Sequence, residues 1–281
     1  MTDDNLLVYM YNHTNDVDIC GYHKKIIANL QRLESGEIKR LAVFLPPRFG
    51  KTLIATLFSA WYLEMNPSAD IIYASYSQDR SNDALETVAT ANSSLIIQEA
   101  RPIMGRTDDG GSFYPMSVRG FVGGRGANLL VLDDLIQDRL DADSEVAKRQ
   151  REDWFINGMH SRLYPDGKIL LLSSKWESDD INSFILHITE DDNWTVLNFP
   201  AISDEQSIFE KRYPLRRLEA MREKMSVEDW EWLYRQGELV QNSQEDNLSI
   251  ELAKLAVKNG VSPDELIEQI LASHYSRREE A

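Results

Sequence analysis

An α/β fold, a mainly parallel sheet with helices on both faces, is the class this sequence predicts, and two observations predict it. Five short runs of β-branched or aliphatic residues each stop at a polar or turn residue, as strands buried on both sides do. Longer amphipathic segments separate them, so successive strands are joined by helical crossovers, which give parallel pairs. The composition agrees: 281 residues with 42% hydrophobic and 9% aromatic side chains suit one main domain and a small appendage.

Residues 24–34 show helical periodicity and residues 41–45 form the first strand. A helix over 52–65, a strand over 70–77 and a helix over 78–91 follow. Strands over 128–132, 168–174 and 195–200 alternate with helices over 144–162 and 179–188. After about Ser203 the strand pattern stops. Residues 215–225 and 227–238 read as helices separated by Ser226, a good N-cap. A polar bridge over 241–247 leads into helices over 250–259 and 263–275. The second opens with Ser262-Pro263-Asp264-Glu265: a cap, a proline at the first helical position and acids in the first turn. The predicted organisation is a main domain over 1–205, a helical linker subdomain over 206–240 and a C-terminal helical tail over 241–281.

Charge and cysteine usage narrow the classes. Lys plus Arg total 30 against 46 Asp plus Glu, a net charge of -16 that argues against coating nucleic acid by bulk charge. A local patch or a ring of subunits could still touch it. The single Cys20 excludes an intrachain disulfide and a multi-cysteine metal site. His13, His23, His160, His187 and His274 lack paired ligand spacing, so no structural zinc is expected. No apolar run approaches the roughly 20 residues of a membrane span, and the acidic start lacks a signal-peptide pattern. A soluble, reducing compartment and no membrane partner are expected.

Two motifs carry chemistry. Residues 41–52 read LAVFLPPRFGKT: a strand, a short turn, then Gly50-Lys51-Thr52 opening a helix. Backbone N–H groups at a helix start cradle phosphates, a lysine there reaches the β/γ phosphates, and a Thr hydroxyl ligates Mg²⁺. The usual pattern is G-x4-G-K-[ST], and Leu45 stands at the first Gly. Downstream, the run 129–134 is a strand ending in Asp133 and Asp134, which suits a Mg²⁺ acid followed by a water-orienting acid. Taken singly, the first motif also fits a helix start with a solvated lysine, and the second a pair of turn acids. Two motifs in the right order, each on a predicted strand, favour the nucleotide reading.

GFVGGRGANLLVLDDL over 120–135 and RLYPDGKILLLSSKWESDD over 162–180, with PPRFGKT and the YASYS strand at 73–77, make a more specific pattern. Together they resemble the ATPase module of tailed-phage terminase large subunits, the DNA-packaging motors, over roughly 22–238. The resemblance implies a P-loop NTPase of the ASCE type that binds ATP and Mg²⁺. It assigns the phosphate loop to Pro47, Arg48, Phe49, Gly50, Lys51 and Thr52, with Arg48 sensing the γ-phosphate. Asp133 matches the Mg²⁺ acid, alongside Thr52, and Asp134 the catalytic acid, one methylene shorter than the Glu of many members. Ser173 and Ser174 match the coupling motif, whose strand lies between those of Lys51 and Asp133 in this sheet class. Ser174-Lys175-Trp176 replaces the frequent Thr-Arg-Trp, keeping a cation but losing the arginine fork. Tyr22 and His23 match a segment near the adenine; an ordinary half-buried aromatic is the alternative for Tyr22. Arg125, on a loop with Gly123, Gly124 and Gly126, is the candidate arginine finger acting in trans, with Arg119 in reserve. An arginine that caps a nearby carboxylate is the alternative.

The implied partners are double-stranded DNA, the portal and procapsid, a terminase small subunit and further copies of the chain in a ring. The implied location is the cytoplasm of an infected bacterium, transiently at the portal vertex. The family's RNase H-like nuclease does not fit in the residues after Glu238, so no nuclease activity is expected here. The nuclease is then either outside this piece or on a separate polypeptide. The tryptophans suit a core role better than base stacking, and the basic run 211–217 suits either phosphate contact or a solvated helix start. A helicase-like ATPase and a non-hydrolysing ATP-binding adaptor remain the competing readings.

Overall fold

In the computed structural model, residues 5–14, 19–99, 102–118, 120, 124–189 and 193–237 are described. The chain divides into two compact units, Met1–Gly237 and Glu238–Ala281. The described residues all belong to the first, so the expected tail over 241–281 lies outside them, as do Arg119 and Gly123.

The helices Leu6–Asn12 (α1) and Gly21–Ser35 (α2) precede the strand Arg40–Phe44 (β1). Lys51–Met65 (α3), Asp70–Ser75 (β2) and Gln78–Ala91 (α4) follow, then the strands Leu95–Gln98 (β3), Met104–Thr107 (β4), Ser112–Ser117 (β5) and Ala127–Asp133 (β6). Next come Arg139–Ala142 (α5), Glu145–Trp154 (α6), Leu163–Ser173 (β7), Ile181–Ile188 (α7) and Thr195–Asn198 (β8). The short strands Ile202–Ser203 (β9) and Gln206–Ser207 (β10) and the helices Leu215–Arg222 (α8) and Val227–Asp229 (α9) close the unit.

Eight strands form one sheet in the order β3-β4-β5-β2-β6-β7-β1-β8. From β5 to β8 every pairing is parallel; β4 pairs antiparallel with both β3 and β5. Strict alternation explains the two-sided core. Leu41 and Val43, Ile71 and Tyr73, Leu129 and Val131, and Leu170 and Leu172 face one helical layer. Ala42 and Phe44, Ile72 and Ala74, Leu130 and Leu132, and Ile169 and Leu171 face the other. The fold is therefore the predicted α/β sheet, with β7 between β1 and β6. Register brings Phe44 beside Ser173, Leu172 beside Asp133 and Asp133 beside Ser75, so the carboxyl ends of these strands share one edge.

Several elements depart from the sequence reading. The strands β3, β4 and β5 occupy a stretch with no predicted element. Pro115 lies in β5 where β4 has already peeled away, a place where a missing N–H costs no ladder bond. The helix expected over 144–162 ends at Trp154 and continues as a π-helical turn, Phe155–Met159, and one 3-10 turn. The helix expected over 227–238 is one short turn followed by a π-helical turn, Trp230–Tyr234. Within the span expected as a helical linker subdomain, 206–240, the described residues Phe209, Tyr213, Leu218, Trp230, Leu233 and Tyr234 join the core under the first layer.

Candidate nucleotide site

The predicted phosphate loop starts where β1 ends. Leu45 stays extended, its N–H donating to the Ser173 carbonyl at 3.1 Å, and its side chain is fully buried. That position needs no positive φ here, which accounts for a leucine where a glycine is usual. The left-handed steps fall instead at Arg48, φ 67°, and Gly50, φ 94°. A Cβ on Gly50 would meet only His23 Nε2, at 3.8 Å, so conformation rather than space calls for glycine. Behind the loop, Tyr22 donates its hydroxyl to the Phe49 carbonyl at 3.1 Å, and the Phe49 ring stacks on Tyr213 with centroids 4.9 Å apart. Phe209 closes the cluster.

Lys51 opens α3 and is buried. Its ammonium donates to Ser174 Oγ at 2.8 Å and to the carbonyls of Pro46 and Leu45 at 3.2 and 3.3 Å, and lies 3.4 Å from Asp134 Oδ2. Asp134 takes a left-handed φ of 44° just past β6, and its Oδ1 accepts the Ser174 N–H at 3.0 Å. Thr52 donates to Asp133 Oδ2 at 2.7 Å, and Tyr73, from β2, donates to the same oxygen at 2.7 Å. The other Asp133 oxygen, Oδ1, is buried with no hydrogen-bond partner. Burial first, and the neighbouring Asp134 second, push the Asp133 carboxyl up to about 6. A buried carboxylate with one oxygen unsatisfied beside a Thr hydroxyl fits a hard divalent cation, whose charge would offset both effects.

The sequence candidates divide by position. Lys51, Thr52, Asp133, Asp134 and Ser174 converge on one point; Arg48 is exposed at the loop's edge, and Pro47 is half-buried beside it. Phe49 offers the site only its backbone, since its ring is buried. Ser173 turns its hydroxyl onto the Ser174 carbonyl at 2.9 Å. Tyr22 is buried in the aromatic cluster. His23 instead lines an apolar cleft with Gly50, Leu53, Phe209 and Arg212. Its Nδ1 accepts the Cys20 N–H at 3.0 Å, which leaves the proton on Nε2, and burial lowers its pKa to about 4. Arg125 lies before β6, at the opposite end of that strand from Asp133, with its guanidinium 4.2 Å over the Tyr114 ring and Nη1 3.1 Å from Met104 Sδ. It has no reach to its own Lys51.

Three contacts lie outside the sequence expectations. Tyr73 enters those only as part of a strand, although a buried Tyr hydroxyl needs a partner and so signals one. Lys175 is buried, its Nζ bonded to the Gly237 carbonyl at 3.3 Å, and burial lowers its pKa to about 8. Arg139 bonds Asp229 through Nε at 2.9 Å and the Trp176 carbonyl at 3.3 Å, tying the segment after Asp134 to the strand end after Ser174.

A mainly parallel sheet with the predicted phosphate loop after one strand, paired acids on the next strand but one, and a polar strand end between them has the arrangement of a P-loop fold. Among solved structures, phage large terminases share this fold over part of their length. The large terminase of bacteriophage HK97 superposes with a TM-score of 0.57 at 11% identity, over 83% of this chain and 55% of that one. This chain thus spans about half the length of that protein. The large terminase of a thermophilic bacteriophage, in complex with ATP-γ-S, gives 0.46 at 10% identity over 74% and 50%. The ATPase domain of the Thermus phage P74-26 large terminase gives 0.42 at 14% over 70% and 88%. No protein-family model matches the sequence, and no curated protein matches it.

Proposed function

We propose that this chain is the ATP-hydrolysing part of a phage terminase motor that drives double-stranded DNA into a procapsid. The observation that carries the reading is the convergence of Lys51, Thr52, Asp133, Asp134 and Ser174 at the carboxyl edge of the sheet. Lys51 exchanges its ring of oxygen acceptors for the β- and γ-phosphates. Thr52 and Asp133 would hold Mg²⁺, which when bound would neutralise phosphate charge. Asp134 orients the attacking water, and Ser174, bonded to both Lys51 and Asp134, senses their separation. Arg48 adds positive charge at the mouth. Arg125, too far to act on its own site, serves a neighbouring subunit in a ring, after release from Tyr114.

In this reading the module works in the cytoplasm of an infected bacterium and docks on the portal, with a small subunit and a nuclease supplied elsewhere in the terminase. Measuring ATP turnover with and without duplex DNA tests it. Stimulation by duplex DNA or by procapsids is the expected result. Stimulation by single strands alone would indicate a helicase-like enzyme, and tight ATP binding without turnover an adaptor.

A further inference from the structure

Past the end of β7 the ladder stops, and three successive backbone N–H groups each donate to a side chain instead. Ser174 donates to Asp134 Oδ1 at 3.0 Å, Lys175 to Gln236 Oε1 at 3.3 Å and Trp176 to Asp180 Oδ2 at 3.1 Å. These bonds fix where the Ser174 hydroxyl stands, 2.8 Å from the Lys51 ammonium. Two of the three acceptors have other work. Asp134 is the acid of the site, and Asp180 caps α7 by accepting the N–H groups of Asn182 and Ser183. Gln236 comes from 61 positions along the chain.

Gln236 is fully buried, and its backbone takes a left-handed φ of 61°, disfavoured for a residue with a Cβ. Both ends of its amide are used, Oε1 by the Lys175 N–H and Nε2 on the Leu233 carbonyl. A second strut runs beside it: Lys175 Nζ donates to the Gly237 carbonyl at 3.3 Å and lies 4.9 Å from the centre of the Phe44 ring. The segment that bears these groups is itself anchored. Ala201 donates its N–H to the Tyr234 carbonyl at 2.7 Å, Gly237 donates to the Glu231 carbonyl at 2.8 Å, and a Cβ at 237 would run into the Trp232 ring. Packing alone would be served by an apolar side chain; a buried amide on a strained backbone is held for its bonds.

We propose that Gln236 is a positioning residue for hydrolysis, acting through the Lys175 N–H to hold Ser174 against Lys51 and Asp134. The assignment rests on the ATP-hydrolysing reading of the site. It extends the machinery to a segment, 230–237, whose sequence carries no nucleotide motif.

Gln236→Asn tests it, since Asn tolerates the left-handed backbone but is one methylene short of the Lys175 N–H. Turnover of ATP by the whole chain falls roughly ten- to a hundred-fold, the scale of a small misplacement at a reacting centre, while nucleotide affinity stays within about three-fold. Gln236→Met, which keeps the volume and removes the acceptor, shows the same split, and Gln236→Glu, which keeps an oxygen for the N–H, recovers most of the turnover. Leu218→Ala, a cavity in the same core cluster, lowers the urea midpoint without changing turnover of the folded protein. Amide hydrogen exchange reads the contact independently of turnover: the Lys175 N–H exchanges at least about ten-fold faster in Gln236→Asn, with Leu170 in mid-strand unchanged. Wild-type protein that hydrolyses no ATP removes the hydrolase reading and leaves the Lys175 exchange rate to decide the contact. Wild-type turnover in both Gln236→Asn and Gln236→Met, affinity that falls in step with turnover, or unmoved Lys175 exchange overturns the proposal.

Discussion

Asp134→Asn separates binding from turnover, and the structure sets its size. Asn tolerates the left-handed φ of 44° at this position, so the backbone is held. The change removes a carboxylate 3.4 Å from a lysine whose side chain is 3% exposed. At an effective dielectric of about 20 the gross attraction is about 5 kcal/mol. Most of it is not lost, because Lys51 keeps Ser174 Oγ and two carbonyls as acceptors. A net change of about 1–2 kcal/mol remains, roughly 5- to 30-fold in an equilibrium constant. Its direction favours nucleotide: the carboxylate that competes with the phosphates for Lys51 is gone. Fluorescent-nucleotide titration of the variant should show binding equal to or tighter than wild type, while turnover falls by about 10²–10⁴. Asp133 also loses its like-charged neighbour, so its carboxyl ionises at lower pH and Mg²⁺-dependent binding sets in at lower pH. Nucleotide affinity that falls in Asp134→Asn, with the pH onset unmoved, would refute the assigned division of roles.

Tyr73→Phe removes a buried hydroxyl bonded to Asp133 and should cost about 1–3 kcal/mol in urea unfolding, with weaker Mg²⁺ binding. His23 is held neutral, with its pKa lowered from 6.5 to about 4. The unfolded chain binds the extra proton between those values, so its contribution is full above pH 6.5 and lost as pH falls toward 4, about 3 kcal/mol in all. His23→Gln, which keeps an acceptor for the Cys20 N–H, should flatten that part of the urea-midpoint profile. Mixing Arg125→Ala with Lys51→Ala protein should restore some turnover, since each supplies what the other lacks; a mixture as inactive as its parts assigns Arg125 to its contact with Tyr114 alone.

The strands that hold the site were legible because each is an unbroken apolar run ending in chemistry: Leu41 to Leu45 before the loop, Leu129 to Leu132 before the acids. The strands β3 to β5 were not, since Ile96 faces solvent and Pro115 interrupts the pattern. The α-helix starting at Glu145 was legible to Trp154, but nothing local marks its change to a π-helical turn. At the site, Lys51, Thr52, Asp133 and Asp134 were readable from spacing along two strand ends. The hydroxyl of Tyr73 and the carbonyls of Leu45 and Pro46 were not, because they reach the site through strand order, which no single segment encodes.

The stacking of Phe49 on Tyr213 has a consequence for synthesis of the chain. A ribosome releases the phosphate loop early, yet the rings that floor it, Phe209 and Tyr213, emerge only after every strand of the main sheet. Until then Phe49 has neither ring against it, and the loop lacks the support that fixes its curvature. Nascent chains lacking residues 209–213 should therefore fail to be retained on immobilised nucleotide, and competence for ligand should arrive late in translation, close to the completion of the whole unit.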